Sequence, residues 1–190
     1  RLSAVSAPAE RVGDFSRELT MVLGLLVLVV LCALVATGMS APLIQRLFGR
    51  EGGVQTAYYN RVSGPLAVVM GLLLGLAPLT RWGRQAPGAL LRAALLPLIV
   101  ALALTVAVVA MGMRDPLQAG IVFAAAFALA ANAAAMVGGF RSGWRHGLAA
   151  LAHTGVALFL IGVVVSSAFD RSAGVVLRQG EERELLGYRL

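Results

Sequence analysis

The chain has 190 residues, of which 59% are hydrophobic and 13% charged, and its mean hydropathy is +0.85. Soluble domains carry about 25% charged residues, so this balance excludes one and predicts an integral membrane protein. The formal net charge of +7 is carried by arginine alone, without a lysine. In a membrane protein that excess reads as a topology signal and as contact with lipid headgroups. A nucleic-acid partner is not expected, because no basic stripe is interleaved with aromatics.

Residues 1–18 are polar and read as a surface loop leading to a helix start at Asp14 or Ser16. The first apolar span covers about 19–37 and contains Cys32, the sole cysteine. A lone thiol among aliphatics makes neither a disulfide nor a thiolate metal cluster and reads as inert. Pro42 then precedes a short amphipathic turn, Leu43 to Phe48. A Gly- and Tyr-containing loop leads to the second span, about 62–80, with Pro65 near its start and Pro78 near its end. Arg81-Trp82 follows, a pair that suits an interfacial anchor.

The third span, about 93–113, holds Pro97, a candidate kink, and Arg92 just outside it can snorkel to the headgroups. Arg114-Asp115-Pro116 makes a short hairpin into an alanine-rich fourth span, about 116–140. Asn132 in that span is expected to make an interhelical hydrogen bond, because small neighbours let helices approach closely. The fifth span is about 147–169, with His146 at its margin reading as a solvated loop residue. Beyond it, residues 170–190 turn polar, and Val175–Leu177 with Glu182–Leu186 read as two strands of a hairpin. The first residue is Arg1, no signal-peptide pattern opens the chain, and Leu190 falls within an apparent strand. The sequence is therefore expected to be an internal fragment of a longer protein.

Five spans place eight arginines on each face, so the count alone does not orient the chain. The short loops Arg81–Arg92 and Arg141–His146 are uniformly basic, and they point to their own face as cytoplasmic.

One ionisable side chain lies inside the fifth span, His153, among 23 consecutive uncharged positions from Gly147 to Phe169. At 1.5 Å per residue it sits roughly 9 Å beyond Gly147. Ala149, Ala150, Val156 and Ala157 share its helical face, with Gly155 alongside, leaving room for a partner helix or a flat ligand such as a porphyrin. Three readings stand open. His153 can hydrogen-bond to a neighbouring helix such as that of Asn132, relay protons in a transporter, or ligate haem iron. All nine acids lie outside the spans, which weighs against an ion-coupled transporter. No Ser/His/Asp set, phosphate loop, HExxH motif or intramembrane carboxylate pair occurs.

Several motifs resemble one family. Ala152-His153-Thr154-Gly155-Val156-Ala157, with Gly162 and Ser166-Ser167 after it, looks like the late transmembrane segment of CcmF-type cytochrome c haem lyases, within the haem-handling CcmF/CcsA group. In the same chain order, Ser16-Arg17-Glu18 is similar to a span start, and Gly38, Ala41-Pro42-Leu43, Tyr59-Asn60 and Pro65-Leu66 to a loop between spans. Ala77-Pro78-Leu79 with Arg81-Trp82 resembles the next span end, and Val176-Leu177, Gly180 and Gly187-Tyr188 the start of a periplasmic β domain.

The resemblance implies an all-α polytopic protein of the bacterial inner membrane, of about five helices here, followed by the start of that β domain at 170–190. It implies a haem lyase that attaches haem, delivered by a chaperone, to apocytochrome c, with other maturation subunits as partners. It also implies a resident haem b, reduced by quinol, that reduces the incoming haem; His153 maps onto one axial ligand of its iron. The partner histidine, the tryptophan-rich haem-presenting loop and its flanking histidines have no counterpart in these residues. No catalytic residue is therefore assigned within the chain. The alternative is the membrane domain of a transporter or permease, in which His153 relays protons or packs.

Overall fold

The computed structural model describes residues 16–49, 56–83 and 85–169, together with the strands Glu184–Leu185 and Tyr188–Arg189. Five helices follow one another: α1 (Arg17–Leu47), α2 (Thr56–Leu76), α3 (Pro87–Ala110), α4 (Pro116–Ser142) and α5 (Trp144–Ala168). All five are long and apolar enough to cross a membrane. With no water in a bilayer core to satisfy backbone groups, helices that bond internally are what such sequences form.

The helix limits follow from local chemistry. Ser16, completely buried, caps α1 by accepting the Leu19 N–H at 3.2 Å, which selects it over Asp14, a residue outside the described segments. α1 then continues through Pro42 to Leu47, where the sequence suggested a separate turn. Proline removes one rung of a helix without having to end it, so α1 carries on past Pro42. α2 ends at Leu76, ahead of Pro78, a residue that disfavours helix in the one before it. α4 opens with Asp115 as N-cap, its Oδ1 accepting from Leu117 N at 2.8 Å and Gln118 N at 3.3 Å, with Pro116 at the first helical position.

α4 is the axle of the bundle, with α2, α3 and α5 all packed against it, and α1 packs on α2. Its alanines make this possible. Ala124, Ala125, Ala126, Ala128 and Ala131 are fully buried, so three helix backbones come close to one. Gly71 on α2 answers them: a Cβ there would meet the Ala124 Cβ at 2.9 Å and its backbone carbon at 3.1 Å. Ala94 and Ala101 of α3 join Ala126 and Phe127 in one core, sealed by Leu72, Leu76, Phe123 and Ile161. The outer faces of α1, α3 and α5 expose leucine, valine and phenylalanine, the surface expected against lipid chains.

The start of α1 is tied to the connection between α2 and α3. Arg17 N–H donates to Arg81 O at 2.9 Å, Gly83 N–H donates to Glu18 Oε1 at 3.2 Å, and the Arg17 guanidinium lies 5.6 Å from the Trp82 ring centroid. The cation over the Trp82 ring thus comes from a helix 65 positions earlier in the chain. After the bundle, Glu184–Leu185 pairs antiparallel with Tyr188–Arg189. The expected strand Val175–Leu177 and the loop 1–15 lie outside the described residues, and a β domain is not defined by a two-residue pair.

Candidate functional site

In lipid every polar side chain needs a partner, so an inventory of polar groups inside the spans isolates the site. The hydroxyls look after themselves within their own helices: Thr37 to Ala33 O at 2.7 Å, Thr105 to Ala101 O at 2.8 Å and Thr154 to Ala150 O at 2.7 Å. Ser63, Gln118, Ser166 and Ser167 lie toward helix ends; away from the ends, two further polar side chains remain, Asn132 on α4 and His153 on α5, and they meet. His153 Nδ1 lies 3.3 Å from Asn132 Oδ1.

The hairpin between their helices brings them together. Gly143 is the single residue between α4 and α5, and its φ of 146° is a backbone conformation that side chains other than glycine rarely adopt. Gly147 packs on the Phe140 ring at the start of α5, so the two helices run back to back from the turn. Asn132 and His153 then stand at nearly the same height on facing sides.

Asn132 is 1% exposed and cannot choose its orientation. Its Nδ2 donates to Leu74 O at 3.0 Å and to Ala128 O at 2.9 Å. Both are carbonyls, so the NH₂ group must face them, and Oδ1 must face His153. Leu74 belongs to the last turn of α2, where carbonyls have no partner in their own helix. One side chain thus joins three helices, α2, α4 and α5.

The amide orientation settles the imidazole. Oδ1 is an acceptor only, so Nδ1 must carry the hydrogen, and neutral imidazole then leaves Nε2 with a bare lone pair. Nε2 has no hydrogen-bond partner among the described residues, and the bundle does not enclose it. His153 is half-buried, with Ala149, Ala152 and Val156 on its exposed side and open space around Gly155. A bare imidazole nitrogen beside a surface of small side chains can accept a proton or bind a metal, and a flat macrocycle has room there. An imidazole nitrogen in this setting is a donor of the kind that haem iron takes. Among the described residues no three of His, Cys, Asp and Glu come together, so His153 has no companion for a metal site of protein ligands alone.

A second polar feature lies at the opposite face. A cleft of about 290 Å³ between α2, α4 and α5 has an apolar wall that includes Leu117, Ile121 and Leu160, and Asn60, Ser63 and Asp115 at its polar rim. Sequence reading did not find it, because its lining comes from three helices whose rotation apolar composition does not reveal.

Comparison with known proteins gives partial, distant homology to one group. No protein-family model matches the chain, and no solved structure matches it. The cytochrome c-type biogenesis protein CcmF of Escherichia coli K12 is 26% identical over 184 residues, covering 92% of this chain and 28% of that protein. The cytochrome c-type biogenesis protein ccl1 of Rhodobacter capsulatus is 37% identical over 97 residues, covering 50% of this chain and 14% of that protein. The chain thus spans less than a third of the length of the curated relatives it matches. Its described residues form a bundle of five helices of membrane-spanning length and composition, with weak, partial homology to cytochrome c-type biogenesis proteins.

Proposed function

We propose that this bundle is the haem b-holding membrane part of a cytochrome c haem lyase, and that His153 is one axial ligand of the haem iron. What supports the reading is the setting of His153: an intramembrane imidazole with Nδ1 3.3 Å from the Asn132 amide oxygen and with no hydrogen-bond partner at Nε2 among the described residues. An imidazole held only for packing needs no open side. The distant relationship to two cytochrome c biogenesis proteins supports the same reading at the level of the pathway.

Bound haem would supply a one-electron carrier at membrane depth. The chain's own part is to hold the imidazole in place and to offer an apolar surface of small residues against the ring system. In this reading the bacterial inner membrane is the setting, the Arg81–Arg92 and Arg141–His146 loops face the cytoplasm, and residues after Phe169 open a periplasmic β domain. The partners would be a haem chaperone, apocytochrome c, quinol and further maturation subunits. The second axial ligand would come from outside these residues.

The test is the full-length protein purified with and without His153→Ala. The native protein should show a b-type haem spectrum. The variant should insert normally and lose the spectrum, with the haem released by pyridine extraction falling at least tenfold. Full haem content with an unchanged spectrum in the variant would remove His153 from the site.

A further inference from the structure

Asn132 does more than join helices. We propose that Asn132 is the positioning residue for His153: it selects the Nδ1–H tautomer and sets the rotation of the ring, so that Nε2 is presented to the haem iron. The proposal rests on the haem-ligand reading of His153.

Four observations carry it. The amide is held by two backbone carbonyls from different helices, Leu74 O at 3.0 Å and Ala128 O at 2.9 Å, so exchanging its oxygen and nitrogen would set an oxygen against two oxygens. At 1% exposure, Asn132 has no water to replace the ring as its donor. Oδ1 therefore stays an acceptor aimed at α5, and the imidazole 3.3 Å away meets it through N–H. The neighbouring hydroxyl, Thr154, donates to Ala150 O in its own helix, and among the described residues no second group is bonded to the ring.

The chemistry is that of an outer partner of a metal ligand. Histidines that bind metals commonly donate their other ring N–H to a carboxylate, a carbonyl or water, which fixes the tautomer and ring orientation. An amide oxygen is a neutral acceptor. It orients the ring as a carboxylate would, without bringing a charge into the membrane and with less push of electron density toward Nε2. A purely structural asparagine, placed to satisfy Leu74 O, would be indifferent to whether the ring nitrogen opposite carries hydrogen.

That difference defines the experiment. In full-length protein carrying His153→Gly, free imidazole and 1-methylimidazole are titrated while the low-spin haem spectrum is followed. Both ligands coordinate iron through one nitrogen, but only imidazole retains an N–H on the other. Imidazole should restore the spectrum at two- to tenfold lower concentration, the range that a net neutral hydrogen bond corresponds to. The preference should disappear when Asn132→Leu is added. Equal restoration by the two ligands, better restoration by 1-methylimidazole, or restoration by neither would overturn the positioning role. A His153→Gly protein that keeps the native spectrum without added ligand would instead overturn the ligand assignment.

Discussion

Inside the bundle, Asn132 and His153 depend on each other in unequal measure. Asn132 satisfies a carbonyl at the end of α2 as well as the imidazole, so its removal leaves two groups without partners. Interhelical hydrogen bonds in membranes average about 0.6 kcal/mol, and an unsatisfied buried polar group costs about 1–3 kcal/mol. Asn132→Leu should therefore destabilise the bundle by about 1–2 kcal/mol in reversible detergent unfolding, and an unchanged midpoint would show that Leu74 O finds another donor. Both residues were legible in the sequence as the polar exceptions in apolar spans, and Asn132 was already one candidate partner for His153. Their pairing was not determined there, because helices apolar on all sides carry little information about which face meets which. The count along the hairpin was the available signal. The Arg17–Trp82 and Glu18–Gly83 contacts had none, since they join segments far apart in sequence.

Among the helices, α4 differs from its neighbours in kind. Its buried faces are rich in alanine, and Gly71 of α2 completes the fit. At Gly71 the obstacle to a side chain is partly the Ala124 backbone, which cannot swing away. Gly71→Leu should cost about 1–3 kcal/mol of stability, the range for overpacking a close-fitting core. Gly162 on α5 is the control, because a Cβ there meets nothing within 4 Å. Gly162→Ala in this bundle should leave stability unchanged or raise it by about 0.5–1 kcal/mol through helix propensity. Equal losses at the two positions in thermal unfolding would contradict the packing described. The number of spans was readable from hydrophobic length, whereas the extension of α1 through Pro42 was not. A proline inside a helix removes one hydrogen bond and need not end it, and the sequence alone does not say which outcome holds.

For the molecule as a whole, five helices put the Arg17 end, the connection 77–86 and the Gly143 turn on one face. The α3–α4 connection lies on the other. In a Cys32→Ser background, Met111→Cys should react in intact cells with a maleimide that does not cross membranes, and Ser142→Cys should react after lysis. The reverse pattern would invert the proposed orientation. The Gly143 turn has a consequence for how the protein can vary. Asn132 stands eleven residues before it and His153 ten residues after it, so the hairpin acts as a ruler with its zero mark at the glycine. One residue inserted in either arm would rotate everything beyond it by about 100° around the helix axis and swing the imidazole off its acceptor. Loops elsewhere in the chain can lengthen or shorten without touching the pair, but this joint tolerates neither.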